Sequence, residues 1–320
     1  MGNQYAGDCV YVKAGQNDIL IDAGSDYDSV DDIKNYINNY VTDGIIEYLI
    51  VTHAHLDHLA CFSGNSNNQS IFDIYEVSTI IDFPKTKANT DIYNEYIKKR
   101  QEEIDDGNTV RYSALECYNN ENGAKRVYEL SNDKNIKLEI LYNYYYENKT
   151  TNENDYSVCV MFYHGSRQFL FTGDLEEKGE EKLAEKYDFS QVELFKAGHH
   201  GSYTASNEIL LSEIKPKILV AHACAGSVQY TQTLENTFPA QKVIDRISKY
   251  TEKVYVPVYI DVVMEGGEYK NTGGHKLLNG NIVVISESSK EVYVECSNNN
   301  LTLKETDWFK NNREMPNAWK

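Results

Sequence analysis

Tyr48-Leu49-Ile50-Val51-Thr52-His53-Ala54-His55-Leu56-Asp57-His58 decides the reading of this chain, because an apolar run passes directly into three imidazoles and a carboxylate. The run is rich in Ile and Val and predicts a buried strand ending at Thr52. Side chains two apart on extended chain share a side, so His53 and His55 can grip one ion. Asp57 and His58 are adjacent and cannot both face that ion from extended backbone; a turn there would swing them toward a second one. Neutral imidazoles with a carboxylate suit Zn, and added carboxylates keep the harder Mn and Fe in play. Cys61, three residues on, could serve as a soft ligand, but a helix starting after Asp57 would carry it away from the metals.

Two further segments supply what the first lacks. Gln168-Phe169-Leu170-Phe171-Thr172-Gly173-Asp174 is another apolar strand ending in a carboxylate, which puts Asp174 at a strand tip where it could bridge two ions. Val192-Glu193-Leu194-Phe195-Lys196-Ala197-Gly198 then runs into His199-His200-Gly201-Ser202, a second junction of strand and histidine. Five of the chain's eight histidines fall in these two clusters, which favours ligands over scattered surface residues.

Taken in order, Ile19-Leu20-Ile21-Asp22-Ala23-Gly24, the THAHLDH stretch, Phe171-Thr172-Gly173-Asp174 and Gly198-His199-His200-Gly201-Ser202 resemble the metallo-β-lactamase superfamily. Gly7-Asp8, the Asn154-x-x-Ser157 arrangement, the GHHGS ending and Asn279-Gly280-Asn281-Ile282-Val283-Val284 bring the resemblance nearest to the soluble hydrolase domain of ComEC-type competence proteins, the DNA-uptake channels. It runs from about Gly7 to about Glu295. It implies that His53 and His55 hold a first metal, that Asp57, His58 and one of His199 or His200 hold a second, and that Asp174 bridges them. His200 would be the ligand and His199 the contact to the substrate's anionic group, or the reverse. Asp22 would orient the histidine loop, with Asn154 and Ser157 also standing behind the ligands. Two departures stand out. Lactamases and lactonases of the superfamily carry a further histidine before the bridging aspartate, where this chain reads Asn152-Glu153-Asn154-Asp155-Tyr156-Ser157, and His164 falls in an expected hairpin turn on the far side from the strand tips. Downstream, Phe238-Pro239 replaces the His-Pro that the family tends to have.

The expected chemistry is hydrolysis by a metal-bound hydroxide on two divalent cations, Zn first and Mn as the alternative. Asp57 would take the water's proton and His199 would stabilise the phosphate. A phosphodiesterase or nuclease is the leading reading; a hydrolase of carboxylic esters or lactones, or a metal-binding effector or scaffold module with little turnover, are the alternatives. With 49 acidic against 31 basic residues the formal net charge is -18, which repels a long polyanion. The expected partner is therefore a small phosphodiester, a nucleotide or single-stranded nucleic acid, with any protein partner unspecified. No apolar stretch approaches the length of a bilayer crossing, Met1-Gly2-Asn3-Gln4-Tyr5 does not resemble a signal peptide, and Ala6 replaces the Ser or Thr of a myristoylation motif, so a cytoplasmic protein is expected. Six scattered cysteines without a Cys-x-x-Cys pair fit reduced thiols.

The fold class expected is α/β, or α+β: an αββα sandwich of two mixed β-sheets flanked by helices, with metals at the strand ends. Residues 1–296 would form one hydrolase domain with an insertion at about 63–154, and residues 297–320 a tail that docks back through Trp308 and Phe309. Helices are predicted over Asp28 to Tyr40, Asp91 to Ile104, Glu176 to Tyr187, Ser206 to Ile214 and Ala240 to Tyr250.

Overall fold

Runs such as Ile19-Leu20-Ile21 and Leu49-Ile50-Val51 present apolar side chains to both faces of a strand, the pattern of a sheet covered on both sides. They lie in the first of the two units into which the computed structural model divides: Gly7–Tyr163 with Thr172–Asp174, and His164–Phe171 with Leu175–Lys320 and residues 5–6. Residues 5–132 and 134–320 are described; the reading of Met1-Gly2-Asn3-Gln4 as neither leader nor lipid site lies outside the described residues.

In the first unit, β1 (Val10–Ala14), β2 (Asn17–Ile21), β3 (Ile45–Val51), β4 (Glu76–Asp82) and β5 (Val110–Ser113) form a five-stranded sheet in spatial order 1-2-3-4-5. β1 runs antiparallel to β2, and β2 to β5 are mutually parallel. Parallel neighbours need crossovers. These are α1 (Ser29–Ile37), α2 (Leu56–Ser63) and α3 (Asp91–Asp105), while α4 (Ala114–Asn119) follows β5. α1 shows why it packs: Val30, Ile33 and Ile37 form its buried face, and Asp31 and Asp32 point to solvent. α2 is buried from His58 through Ser63, as a helix in the interior must be. Residues 63–154, insertion-like in sequence, thus contribute β4 and β5 to this sheet. They also carry β6 (Val127–Glu129) and β7 (Ile136–Leu141), an antiparallel pair, and β8 (Cys159–His164) lies beside β7.

Parallel pairing has one consequence for function. Ile21 sits opposite Ile50, Val51 opposite Asp82 and Asp82 opposite Ser113, so four strands deliver their following loops to one edge. Ligands of parallel sheets bind outside that carboxyl edge.

The second unit holds a parallel set, β9 (Arg167–Phe171), β10 (Leu194–Lys196), β11 (Ile218–Val220) and, beyond the short β12 (Cys224–Ala225), β13 (Val254–Tyr255). Its helices are α5 (Glu177–Lys186), α6 (Glu208–Ile214), α7 (Gln241–Ile247) and α8 (Asp307–Asn312). The carboxyl-terminal segment packs within this unit: Trp308, Phe309 and Trp319 are buried, the Trp319 indole donates to Thr251 O at 3.0 Å, and Arg313 donates to Thr237 O at 2.8 Å. His164, expected in an exposed turn, ends β8 instead and is half-buried, with Nδ1 2.9 Å from Ser286 Oγ. The mixed α/β class expected from sequence is what the chain adopts. All six cysteines are free thiols, and among the described residues no helix is long and apolar enough to cross a membrane.

One buried acid organises the α5–α6 junction. Glu180 is fully buried, and its carboxylate accepts the Ser206 amide at 2.7 Å, the Asn207 amide at 2.8 Å and the Asn207 side-chain amide at 3.0 Å. Burial pushes its pKa up from 4.5 to about 7, against the pull of those donors. Because the folded pKa is the higher one, the folded state holds a proton that the unfolded chain has released, and the stabilisation this brings is complete below about 4.5 and lost as pH rises through about 7. The full effect is on the order of 3 kcal/mol. Urea unfolding at pH 5 and pH 7.5 should therefore show the stability of wild type falling relative to Glu180→Gln as pH rises; a difference that stays constant would refute the assignment.

Candidate metal centre

The histidine stretch works as a strand, a cap and a helix in succession. β3 ends at Val51; the backbone is still extended at His55 (φ -92°, ψ 154°), which caps α2, and Leu56-Asp57-His58 is that helix's first turn. Extended chain from His53 to His55 puts both rings on one side, with His53 Nε2 2.9 Å from His55 Nδ1. The helical turn then brings His58 back, its ring centroid 4.1 Å from that of His53. His53 and His58 are fully buried, and Asp57 is half-buried on the same turn.

Asp22 sets the orientation. It follows β2 with a left-handed backbone (φ 55°), and its carboxylate accepts the Thr52 amide at 2.8 Å, the Thr52 hydroxyl at 2.7 Å and His58 Nδ1–H at 2.7 Å. With Nδ1 occupied, His58 turns Nε2 toward Asp174, whose Oδ2 is 3.3 Å away. A carboxylate behind an imidazole is the usual arrangement for a metal-ligating histidine, since it fixes the tautomer and raises the basicity of the other nitrogen.

Asp174 is placed by Ser157 and by a glycine. The Asp174 amide donates to Ser157 Oγ at 3.0 Å, and the same oxygen lies 3.5 Å from His53 Nδ1. Gly173 has φ 55°, and a Cβ there would meet Ser157 Oγ and Thr52 Cβ at 2.9 Å, so no larger residue fits. Asn143 braces the approach by donating to Asp155 O and Ser157 O at 2.7 and 2.9 Å. Asn154 is buried in the same segment, where its carbonyl accepts the Ser157 amide at 3.1 Å.

Asp8 joins this group, and sequence reasoning gave it no ligand role. One ligand atom each from Asp8, His58 and Asp174 lie within 4.8 Å of one another, and all three residues are buried. Asp8 is held by backbone: its amide donates to Asp57 O at 3.0 Å, and its carbonyl accepts the Gly24 amide at 2.9 Å. The signal available was Gly7-Asp8 itself, a Gly-Asp pair of the same form as Gly173-Asp174. His58 thus groups with Asp8 and Asp174, while His53 and His55 form the facing pair beside them. Cys61 lies in α2 with Sγ donating to Asp26 O at 3.4 Å.

The electrostatics suit cation binding. Burial holds His53 well below the usual imidazole range and lowers His55 as well, so both rings present neutral nitrogens. His58 is the opposite case: burial disfavours its charge, but the Asp174 and Asp22 carboxylates outweigh that and push its pKa well above the ordinary value. A group of buried carboxylates and imidazoles, with one imidazole oriented by a further carboxylate, has a donor set suited to a divalent cation.

In the second unit, His199 and His200 sit in the turn Gly198–Gly201, both with left-handed backbone (φ 47° and 55°), a conformation that non-glycine residues rarely adopt. His200 is fully buried, and its Nδ1 lies 3.1 Å from His222 O, which directs the Nδ1 proton there and makes Nε2 the ligand-type nitrogen. His199 is more open, with Nδ1 3.1 Å from Glu176 Oε1 and 3.2 Å from Thr204 Oγ1. The Phe238 ring lies beside both imidazoles, at 5.8 and 5.9 Å between centroids.

Recombination protein 2 of Haemophilus influenzae is 30% identical over 105 residues, 33% of this chain and 12% of that protein. Competence protein ComA of Neisseria gonorrhoeae is 40% identical over 78 residues, 23% of this chain and 11% of that protein. The likeness to ComEC-type competence proteins is thus present, over a small part of those longer chains. Among solved structures, the metallo-beta-lactamase fold protein YhfI from Bacillus subtilis is similar at 12% identity and a TM-score of 0.43, covering 78% of this chain and 88% of that one. The family model described as Anti-Pycsar protein Apyc1 matches residues 2–242, well over half of the sequence. The chain belongs to the Anti-Pycsar protein Apyc1 family.

Proposed function

We propose that this protein is a metal-dependent phosphodiesterase that acts on a small, nucleotide-like phosphodiester. The observation that carries the reading is the buried group of Asp8, His58 and Asp174 beside the His53–His55 pair, with His58 oriented by Asp22. So many buried acids and imidazoles in one place would be unfavourable without a cation to balance them. Two divalent cations are proposed, Zn first and Mn as the alternative. Bound cations of this kind lower the pKa of a water to near neutrality and offset charge on phosphoryl oxygens.

The chain's own residues have distinct tasks in this reading. His53, His55, His58, Asp8 and Asp174 bind, Asp22 and Ser157 orient, and Asp57 accepts the proton of the attacking water. The roles of His200 as a ligand and His199 as a phosphate contact rest on the resemblance described above. The net charge of -18 supports a small substrate over a long polyanion. Single-stranded nucleic acid is the second reading, in keeping with the likeness to Recombination protein 2 of Haemophilus influenzae.

Four measurements test this. A screen of chromogenic phosphodiesters, cyclic nucleotides, single-stranded DNA and chromogenic carboxylic esters should give turnover on a small diester; turnover on esters alone would reverse the assignment. Asp57→Ala and Asp174→Ala should each lower kcat/KM on the order of a thousandfold or more with an unchanged circular dichroism spectrum. A chelator should abolish activity and added Zn or Mn restore it, whereas full activity in metal-stripped protein would end the proposal. Calorimetric titration with Zn should show Asp8→Asn and Asp22→Asn weakening cation binding by roughly ten- to a hundredfold; wild-type affinity in both would remove those residues from the centre.

A further inference from the structure

The loop between β4 and α3, Phe83-Pro84-Lys85-Thr86-Lys87-Ala88-Asn89-Thr90, has no role so far. It leaves the sheet at the same edge as the histidine stretch: Val51, just before Thr52, is in register with Asp82, just before Phe83. In a chain of net charge -18 this loop carries two lysines and no carboxylate. Lys85 is half-buried and Lys87 exposed, and among the described residues neither ammonium has an ion-pair partner.

The loop is also fastened. Glu153, 3% exposed, accepts the Thr86 hydroxyl on one carboxylate oxygen at 2.6 Å and the Lys87 amide on the other at 2.9 Å, and Thr86 Oγ1 in turn accepts the Ala88 amide at 2.8 Å. Glu153 opens the turn Glu153–Tyr156 that leads into Ser157, whose hydroxyl places Asp174. One carboxylate therefore ties the lysine loop to the segment that positions a candidate ligand. At the loop's root, the buried Asp82 is committed elsewhere, to Arg100, Arg111 and the Tyr96 hydroxyl, so it does not neutralise the lysines.

A cationic loop whose backbone is fastened at the strand edge that also carries buried acids and imidazoles, on an otherwise anionic protein, suits recognition of a phosphate ester, because it attracts the anion and leaves only the lysine side chains to be ordered on binding. We propose that Lys85 and Lys87 grip the anionic oxygens of the substrate's phosphodiester and that Glu153 is the positioning residue that holds the loop for them. This deepens the phosphodiesterase reading and rests on it.

The test uses the full metal-loaded chain with thymidine 5′-(4-nitrophenyl phosphate) as substrate. Wild-type KM should rise with ionic strength. Lys85→Ala with Lys87→Ala should raise KM about tenfold at low salt, keep kcat within about twofold, and flatten the salt dependence. Glu153→Gln, which keeps one acceptor oxygen, should give a KM between wild type and Glu153→Ala; a merely structural Glu153 would lower the melting temperature and leave the salt dependence of KM unchanged. A wild type that cleaves the diester while the double lysine variant keeps its KM and salt dependence overturns this proposal alone. A wild type that cleaves no phosphodiester overturns the functional reading and this proposal with it.

Discussion

The Asp22 carboxylate, 1% exposed, takes three donors at 2.7 to 2.8 Å from two residues that lie 30 and 36 positions further along the chain. Removing a carboxylate from water is unfavourable unless donors replace the lost hydration. Burial pushes the pKa of Asp22 up, and the His58 contact pulls it back toward the ionised form. The same three bonds pin the end of β3 and set the His58 ring, so strand terminus and imidazole orientation cannot be varied independently. The left-handed turn at Asp22, which costs on the order of 1 kcal/mol for a non-glycine residue, lets the side chain reach β3. Breaking a buried interaction of this kind by removing one partner typically costs about 3 to 5 kcal/mol.

Carboxylates recur along this edge with different partners. After β2, Asp22 engages an imidazole, and at the end of β4, Asp82 engages two guanidinium groups and a tyrosine hydroxyl. After β5, Glu116 accepts both the amide and the hydroxyl of Ser113 in a capping box that starts α4. The imidazole is the partner that can exchange a proton for a metal, whereas guanidinium stays charged and gives a fixed, largely self-neutralised brace. The candidate ligands thus gather at one strand end while carboxylates at its neighbours bind arginine or cap a helix.

Much of this was legible because it is local. Alternation on extended chain paired His53 with His55, and an adjacent acid and imidazole that could not share a face required the turn that α2 supplies. The helices expected near residues 28–40 and 91–104 appear as α1 and α3, which bury Val30, Ile33 and Ile37 in the one and Ile92 and Tyr96 in the other, all at helical spacing. Asp8 escaped because its position depends on contacts distant in sequence. A Cβ on Gly7 would meet Ser25 Cα at 2.4 Å, and one on Gly24 would meet the Asp57 carbonyl oxygen at 2.2 Å, approaches that no periodicity reveals. β5 and β6 escaped because they are short and largely exposed on one side, Val110 and Val127 among them. The left-handed backbone of His199 and His200 has no residue-type signature, since neither is a glycine.

The candidate ligands of the first unit come from Asp8, the stretch from His53 to His58, and Asp174, and the last of these returns to the unit after β9 has been laid down in the second. During synthesis on the ribosome, therefore, nearly all of the first unit emerges before the last of these candidate ligands joins it. A site assembled from remote segments does not exist in the unfolded chain, so any free energy of ion capture by all three segments would be added only once the polypeptide extends past residue 174. A cation held jointly by Asp8, His58 and Asp174 would then be captured late in the maturation of the chain rather than nucleating its fold.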